Sequence, residues 1–268
     1  MPSNSLQSNS LQLILLDLDG TLYVGKDIIP GAPAALSALR QQGYALRFLT
    51  NTTTRSHAEL LTQLRAMDFV LDDDELISAP AAARLELRAM QEKRGEKIRI
   101  WPVVADAIKP DFAQFTLDEQ QPDFIVLGDI GDQWNLALIN RLFNAMHSGA
   151  QLICLHKNRF WQTADGLKAD IGFFVAGLEY VTNQTAQVMG KPTAAFFQRV
   201  LDSAGVSADN TLLVGDDLDS DVGGAQAMGI KGVLVKTGKF RQSYLDKSNI
   251  KPDGILDTVA ELPGWLES

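Results

Sequence analysis

One cysteine and three histidines in 268 residues leave little material for disulfide chemistry or for a thiolate or imidazole metal site. The single thiol, Cys154, lies in the apolar run QLICL; it has no partner in the chain and reads as a small buried hydrophobe, as a reducing compartment permits. His57, His147 and His156 show no ligand spacing and read as structural or surface residues. Long apolar runs are missing too: no window approaches the ~20 residues that span a bilayer. The polar start MPSNSLQSNSLQ lacks the basic flank and continuous apolar stretch of a secretory signal, so residues 1–11 read as a flexible tail. A soluble, cytoplasmic protein is expected. Positive charge is short as well, with 24 Lys and Arg against 33 Asp and Glu and a net charge of -9. Summed charge of that sign disfavours nucleic acid and anionic membranes as partners, and any anionic substrate must meet local cationic groups.

What the chain does have is 46% hydrophobic residues arranged as short apolar runs that stop at polar turns. Leu11–Leu16 stops at DLDGT, YALRFLT stops at Thr50 and Asn51, and TLLVG stops at Asp216 and Asp217. Between them lie helical patterns, among them PAALSALRQQG closing at Gly43 and PTAAFFQRVLDSAG. Strands alternating with helices predict an α/β fold, a parallel sheet covered by helices on both faces, with chemistry at the carboxyl ends of the strands. After EKRGEK the alternation starts afresh: IRIWPV, DFIVLGD and QLICLH read as strands and Trp134–His147 as a helix. The expected division is a core of residues 1–80 and 184–268 with a smaller α/β domain, 81–183, inserted into it.

Every candidate for chemistry falls at such a strand end or helix start. Carboxylates gathered there repel one another unless a cation neutralises them, and an all-oxygen set suits Mg2+. Asp17 and Asp216 are the expected carboxylate ligands, with the backbone carbonyl of Asp19 beside them and Asp221 in or just behind the shell. The second Asp17 oxygen can attack a substrate phosphorus, giving an aspartyl phosphate. Asp19 can protonate the departing oxygen and then deprotonate the water that cleaves the intermediate. Thr50, the amides near Asn51, and Lys191 can gather the charge spread over the phosphoryl oxygens. Gly20 allows a tight turn beside the nucleophile, while Gly190 and Pro192 shape the approach of Lys191.

In order, DLDGT, LTN, GKP and GDDLDSD resemble the four motifs of the haloacid dehalogenase (HAD) superfamily of phosphohydrolases. The resemblance implies a Rossmann-like core and carries the same roles onto Asp17, Asp19, Thr50, Lys191, Asp216 and Asp221. More than half of the chain separates Thr50 from Lys191, which resembles the subfamily IIA arrangement of an α/β cap between the second and third motifs. A cap implies closure over a small phosphorylated substrate, with a homodimer through the cap as a further family-based expectation. Its expected contact segment is HKNRFWQTADG, where Asn158 and Arg159 follow an apolar strand and Arg159 suits a second anionic group. Phe160 and Trp161 read as packing within the cap.

Rival chemistries use parts of the same set. A phosphotransferase or phosphomutase shares the aspartyl phosphate and differs in its acceptor. A non-enzymatic phospho-receiver module also has a phosphorylated Asp, a Thr and a Lys, but Asp19 would hasten its dephosphorylation and the chain is far longer than it requires. Dehalogenation needs neither the magnesium site nor an acid at Asp19, and phosphonate cleavage needs a Schiff-base lysine that does not stand out.

Overall fold

Leu13–Asp17 reads LILLD and is buried at every position, so the strand has no polar face and must be covered on both sides. In the computed structural model, which describes residues 10–163 and 166–268, it lies inside a six-stranded sheet. The strand order is Gly254–Leu256, Lys231–Val235, Thr211–Gly215, Leu13–Asp17, Ala45–Thr50 and Leu76–Ser78. Leu13–Asp17 pairs in parallel with Thr211–Gly215 on one side and Ala45–Thr50 on the other. The chain builds one half of the sheet first and returns to build the other half next to its starting strand. That reversal leaves a crevice at the strand carboxyl ends, where Asp17, Thr50 and Asp216 emerge.

The helices around this sheet begin and end where the sequence patterns put them. Ala32–Gln41 starts after Gly31, whose φ of 83° suits glycine, and buries Ala32, Ala35, Leu36 and Leu39 along one stripe. Ala194–Ala204 is capped by the Thr193 side chain, ends at Gly205 and buries Phe196, Phe197, Val200 and Leu201.

The chain divides into two compact units, one through Thr50 with Leu61–Ile77 and Lys191–Ser268, the other Asn51–Leu60 with Ser78–Gly190. The second unit has its own parallel five-stranded sheet, ordered Gln187–Val188, Gln151–Cys154, Phe124–Leu127, Arg99–Val103 and Thr116–Leu117. Helices Leu136–His147 and Gly172–Thr182 pack on it through Leu142, Met146, Val175 and Leu178. Trp134 stacks on Phe174 at 3.7 Å between ring centroids. The edges of this unit differ from the expected 81 and 183. Ser78 already caps its first helix, and Gln187–Val188 pairs with Ile153–Cys154, which ties the chain to this sheet as far as Gly190.

Two hairpins had no counterpart in the sequence reading, Tyr23–Val24 with Asp27–Ile28 and Phe160–Thr163 with Gly166–Ala169. Residues 1–9 of the expected tail and the Trp161 side chain lie outside the described residues. Phe160, expected to pack, is 58% exposed.

Candidate active site

Asp17 ends the central strand and is only 7% exposed. The chain then makes one tight turn, in which Leu22 N donates to Leu18 O at 2.9 Å and Gly20 N to Tyr23 O at 2.7 Å. Gly20 holds a φ of 97°, which L side chains rarely adopt. The turn brings the Thr21 hydroxyl back to donate to Asp17 Oδ2 at 3.3 Å. Asp19 points away from the core and is exposed, and its Oδ1 accepts from Gly25 N at 3.4 Å in the following hairpin. Thr50 is buried one residue beyond Leu49, the register partner of Asp17.

Lys191 enters from the start of the Ala194–Ala204 segment and is 7% exposed. Its ammonium lies 2.5 Å from Asp17 Oδ1 and 2.7 Å from Asp221 Oδ1. Burial acts to lower the Lys191 pKa, but Asp17 and Asp221 overcome it and hold the group above its ordinary value. Burial pushes the Asp17 carboxyl up, against the pull of Lys191.

The acidic run after Thr211–Gly215 divides its labour. Asp216 is buried; its Oδ2 accepts from Lys239 N at 2.6 Å, while its Oδ1 is buried with no hydrogen-bond partner. Asp217 caps a π-helical turn, Leu218–Gly223, by accepting from Asp219 N and Ser220 N at 3.1 and 3.0 Å. Asp221, carried inward by that turn, accepts from Lys191 with Oδ1 and from Asp217 N at 3.2 Å with Oδ2. A Cβ at Gly215 would come within 2.4 Å of Asp221 Oδ2, so the glycine makes room for this carboxylate.

Asp17, Asp216 and Asp221 each offer an oxygen within 4.8 Å of the others. Asp216 adds a third buried carboxylate to the two that Lys191 bridges. Burial and the neighbouring Asp221 and Asp217 charges push the Asp216 carboxyl up to about 6, despite the Lys239 amide. Burial likewise raises Asp221. A partnerless buried oxygen and an all-carboxylate donor set fit a small hard cation such as Mg2+. No histidine joins this cluster among the described residues.

The second unit carries the remaining candidates. Asn51 is half-buried, and Gly190 lets its Oδ1 approach closely, since a Cβ there would lie 3.1 Å from it. Asn158 and Arg159 are exposed in the loop after Gln151–Cys154, their carbonyls bound by Gly172 N and Asp170 N. Next to them, His156 is buried, with Nδ1 3.8 Å from Asp170 Oδ2; burial lowers its pKa against the Asp170 and Asp129 charges. The sequence reading missed the role of Lys239. Its Nζ lies 3.0 Å from Asp217 Oδ2 and its amide holds Asp216. The available signal was KTGKF, which directly follows a strand of the same sheet.

The chain belongs to the haloacid dehalogenase-like hydrolase family. A family model described as haloacid dehalogenase-like hydrolase matches residues 14–115, and a second, HAD-hydrolase-like, matches residues 188–262. The human haloacid dehalogenase-like hydrolase domain-containing protein 2 is 38% identical over 243 residues, 91% of each chain. The human phospholysine phosphohistidine inorganic pyrophosphate phosphatase is 34% identical, covering 92% of this chain and 91% of its own. Among solved structures, a 4-nitrophenylphosphatase from Thermotoga maritima superposes with a TM-score of 0.82 at 25% identity, covering 96% of this chain and 98% of its own.

Proposed function

We propose that this HAD-family phosphatase hydrolyses a small phosphorylated metabolite through an aspartyl phosphate on Asp17. The observation that carries the reading is the buried Lys191 ammonium between Asp17 and Asp221, beside the partnerless Asp216 Oδ1. Mg2+ would be held by Asp17, the Asp19 backbone carbonyl and Asp216. When bound, it supplies positive charge to the phosphoryl oxygens. Asp221, which accepts from Lys191 and the Asp217 amide, would stand in or just behind the shell.

Asp17 attacks phosphorus with a carboxylate oxygen as the bond to the leaving oxygen breaks, and Asp19 gives that oxygen its proton. Asp19 then takes a proton from the water that releases phosphate. The exposure of Asp19 suits both exchanges, since its carboxyl can meet a leaving group and then a water. Thr50, the Asn51 region and Lys191 bind the phosphoryl group. The same aspartyl phosphate could pass its phosphoryl group to a second substrate, and the acceptor that reaches it decides between hydrolase and transferase.

The inserted unit acts as a cap that selects the leaving group, with Asn158 and Arg159 as its contact residues. Relatives named for pyrophosphate, phosphoamino acid and nitrophenyl phosphate substrates bracket the range to test. A homodimer through the cap is supported by Phe173, Tyr180 and Val181, exposed at 68%, 89% and 54% on one helix. Among the described residues no helix is long and apolar enough to cross a membrane, and a cytoplasmic location is part of this reading.

The deciding experiment is phosphate release from a panel of phosphorylated metabolites, pyrophosphate and p-nitrophenyl phosphate, with Mg2+ and with excess chelator. Asp17→Asn should abolish release from every substrate. Turnover retained by that variant, or unaffected by the chelator, would overturn the reading.

A further inference from the structure

We infer that the loop Thr237–Lys239 is a positioning clamp that decides which oxygen of Asp216 is presented to the cation. The inference rests on Asp216 being a magnesium ligand. The loop leaves the end of Lys231–Val235 and passes the end of its neighbour Thr211–Gly215 to reach the turn after Leu13–Asp17, two strands away in the sheet. At that turn the Thr237 hydroxyl donates to the Gly20 carbonyl. The Lys239 amide donates to Asp216 Oδ2, and the Lys239 ammonium holds Asp217 Oδ2. One short loop therefore grips the nucleophile's turn and two residues of the acidic run.

Between these anchors lies Gly238, with a φ of 52°. A Cβ at Gly238 would stand 2.0 Å from Asp216 Oδ2 and 2.5 Å from Gly20 Cα. A Cβ at Gly20 would also stand 2.0 Å from Asp216 Oδ2. The carboxylate thus sits in a slot walled by two glycines, with no space for any side chain on either. With Oδ2 fixed by an amide inside that slot, Oδ1 is the oxygen left to face the Asp17 and Asp221 carboxylates. A ligand held in one rotamer before the cation arrives loses less freedom on binding, and partners of this kind govern metal affinity by about 10–100-fold.

The test uses the full chain, with Mg2+ binding followed by titration calorimetry and metal-free melting by circular dichroism. Wild type should bind Mg2+ and Asp216→Asn should lose that binding. Thr237→Val, which keeps shape and removes the donor, and Gly238→Ala should each weaken Mg2+ binding by about 10–100-fold. Thr237→Ser restores the hydroxyl and should return binding close to the wild-type value. At saturating Mg2+, Thr237→Val should recover most of its kcat. If Asp216→Asn binds Mg2+ as wild type does, the metal reading fails and the clamp falls with it. If Asp216→Asn loses binding while Thr237→Val and Gly238→Ala keep it, the clamp alone is wrong. A loss in Thr237→Val that tracks a drop in metal-free melting and is not rescued by Thr237→Ser would make the loop a folding element only, which also overturns the inference.

Discussion

The Lys191 ammonium reaches the Asp17 carboxylate at 2.5 Å across 174 positions of sequence. Because Lys191 also contacts Asp221, removing its charge leaves two buried carboxylates facing each other. Lys191→Met should reduce phosphate release to background and lower metal-free stability by about 3–5 kcal/mol, the usual cost of breaking a buried pair. Added Mg2+ should restore part of the stability and none of the activity. Urea unfolding with and without Mg2+ measures the first effect, and steady-state phosphate release the second.

Asp19→Asn keeps the shape of the exposed side chain and removes its proton transfer. With a poor leaving group such as an alkyl phosphate, kcat should fall by about 10²–10⁴. With p-nitrophenyl phosphate, whose phenolate leaves without help, the loss in the first step should be much smaller. Single-turnover rates for the two substrates test this directly, and equal losses would remove Asp19 from the role of acid.

Mg2+ affinity should depend on pH through Asp216, whose carboxyl burial lifts to about 6. Above that value Asp216 is already ionised and its own contribution to the pH dependence should vanish. Below it protons compete with the cation, and affinity should fall by about tenfold per pH unit. Calorimetric titrations on both sides of that value would reveal the break, and a flat profile would contradict it.

Away from the site, Arg40 on helix Ala32–Gln41 binds Glu75 through two hydrogen bonds of 2.8 and 2.6 Å. Burial acts to raise the Glu75 carboxyl, but the Arg40 hydrogen bond, the Asp72 amide and the Arg40 and Arg47 charges carry it below 4.5. A depressed carboxylate contributes stability above its unfolded pKa and loses that contribution as pH falls through the folded value. Glu75→Gln should therefore cost about 2–3 kcal/mol near neutrality and flatten the acid limb of the stability profile. Unfolding midpoints at neutral and acid pH check both statements.

Much of this architecture was legible because its strands are apolar without interruption. LILLD and TLLVG read as buried strands, and their abrupt polar ends fall at Asp17 and Asp216. Two helix starts are set by the Ser78 and Thr193 side chains, caps that the apolar patterns alone did not mark. Short pairings escaped, because a two-residue strand such as Gln187–Val188 has no periodicity to read and is defined only by the neighbour it bonds. In the site, carboxylate clustering was visible and the resemblance already set Asp216 and Asp221 apart, but the turn that carries Asp221 inward was not. Whether Asp217, Asp219 or Asp221 turns inward depends on a π-helical turn, a feature with no pattern of its own. The grip of Lys239 on Asp216 escaped for a related reason: it is made by a backbone amide, which every residue but proline carries, so residue type gave no sign of it.

The lone Cys154 has a practical consequence of its own. It is fully buried, and burial pushes its thiol up to about 12, so almost none of it is thiolate near neutrality. The native chain is therefore a ready background for site-directed labelling. A cysteine introduced on the exposed Tyr180 or near Arg159 could carry a spin label or fluorophore selectively, with no native thiol to remove first.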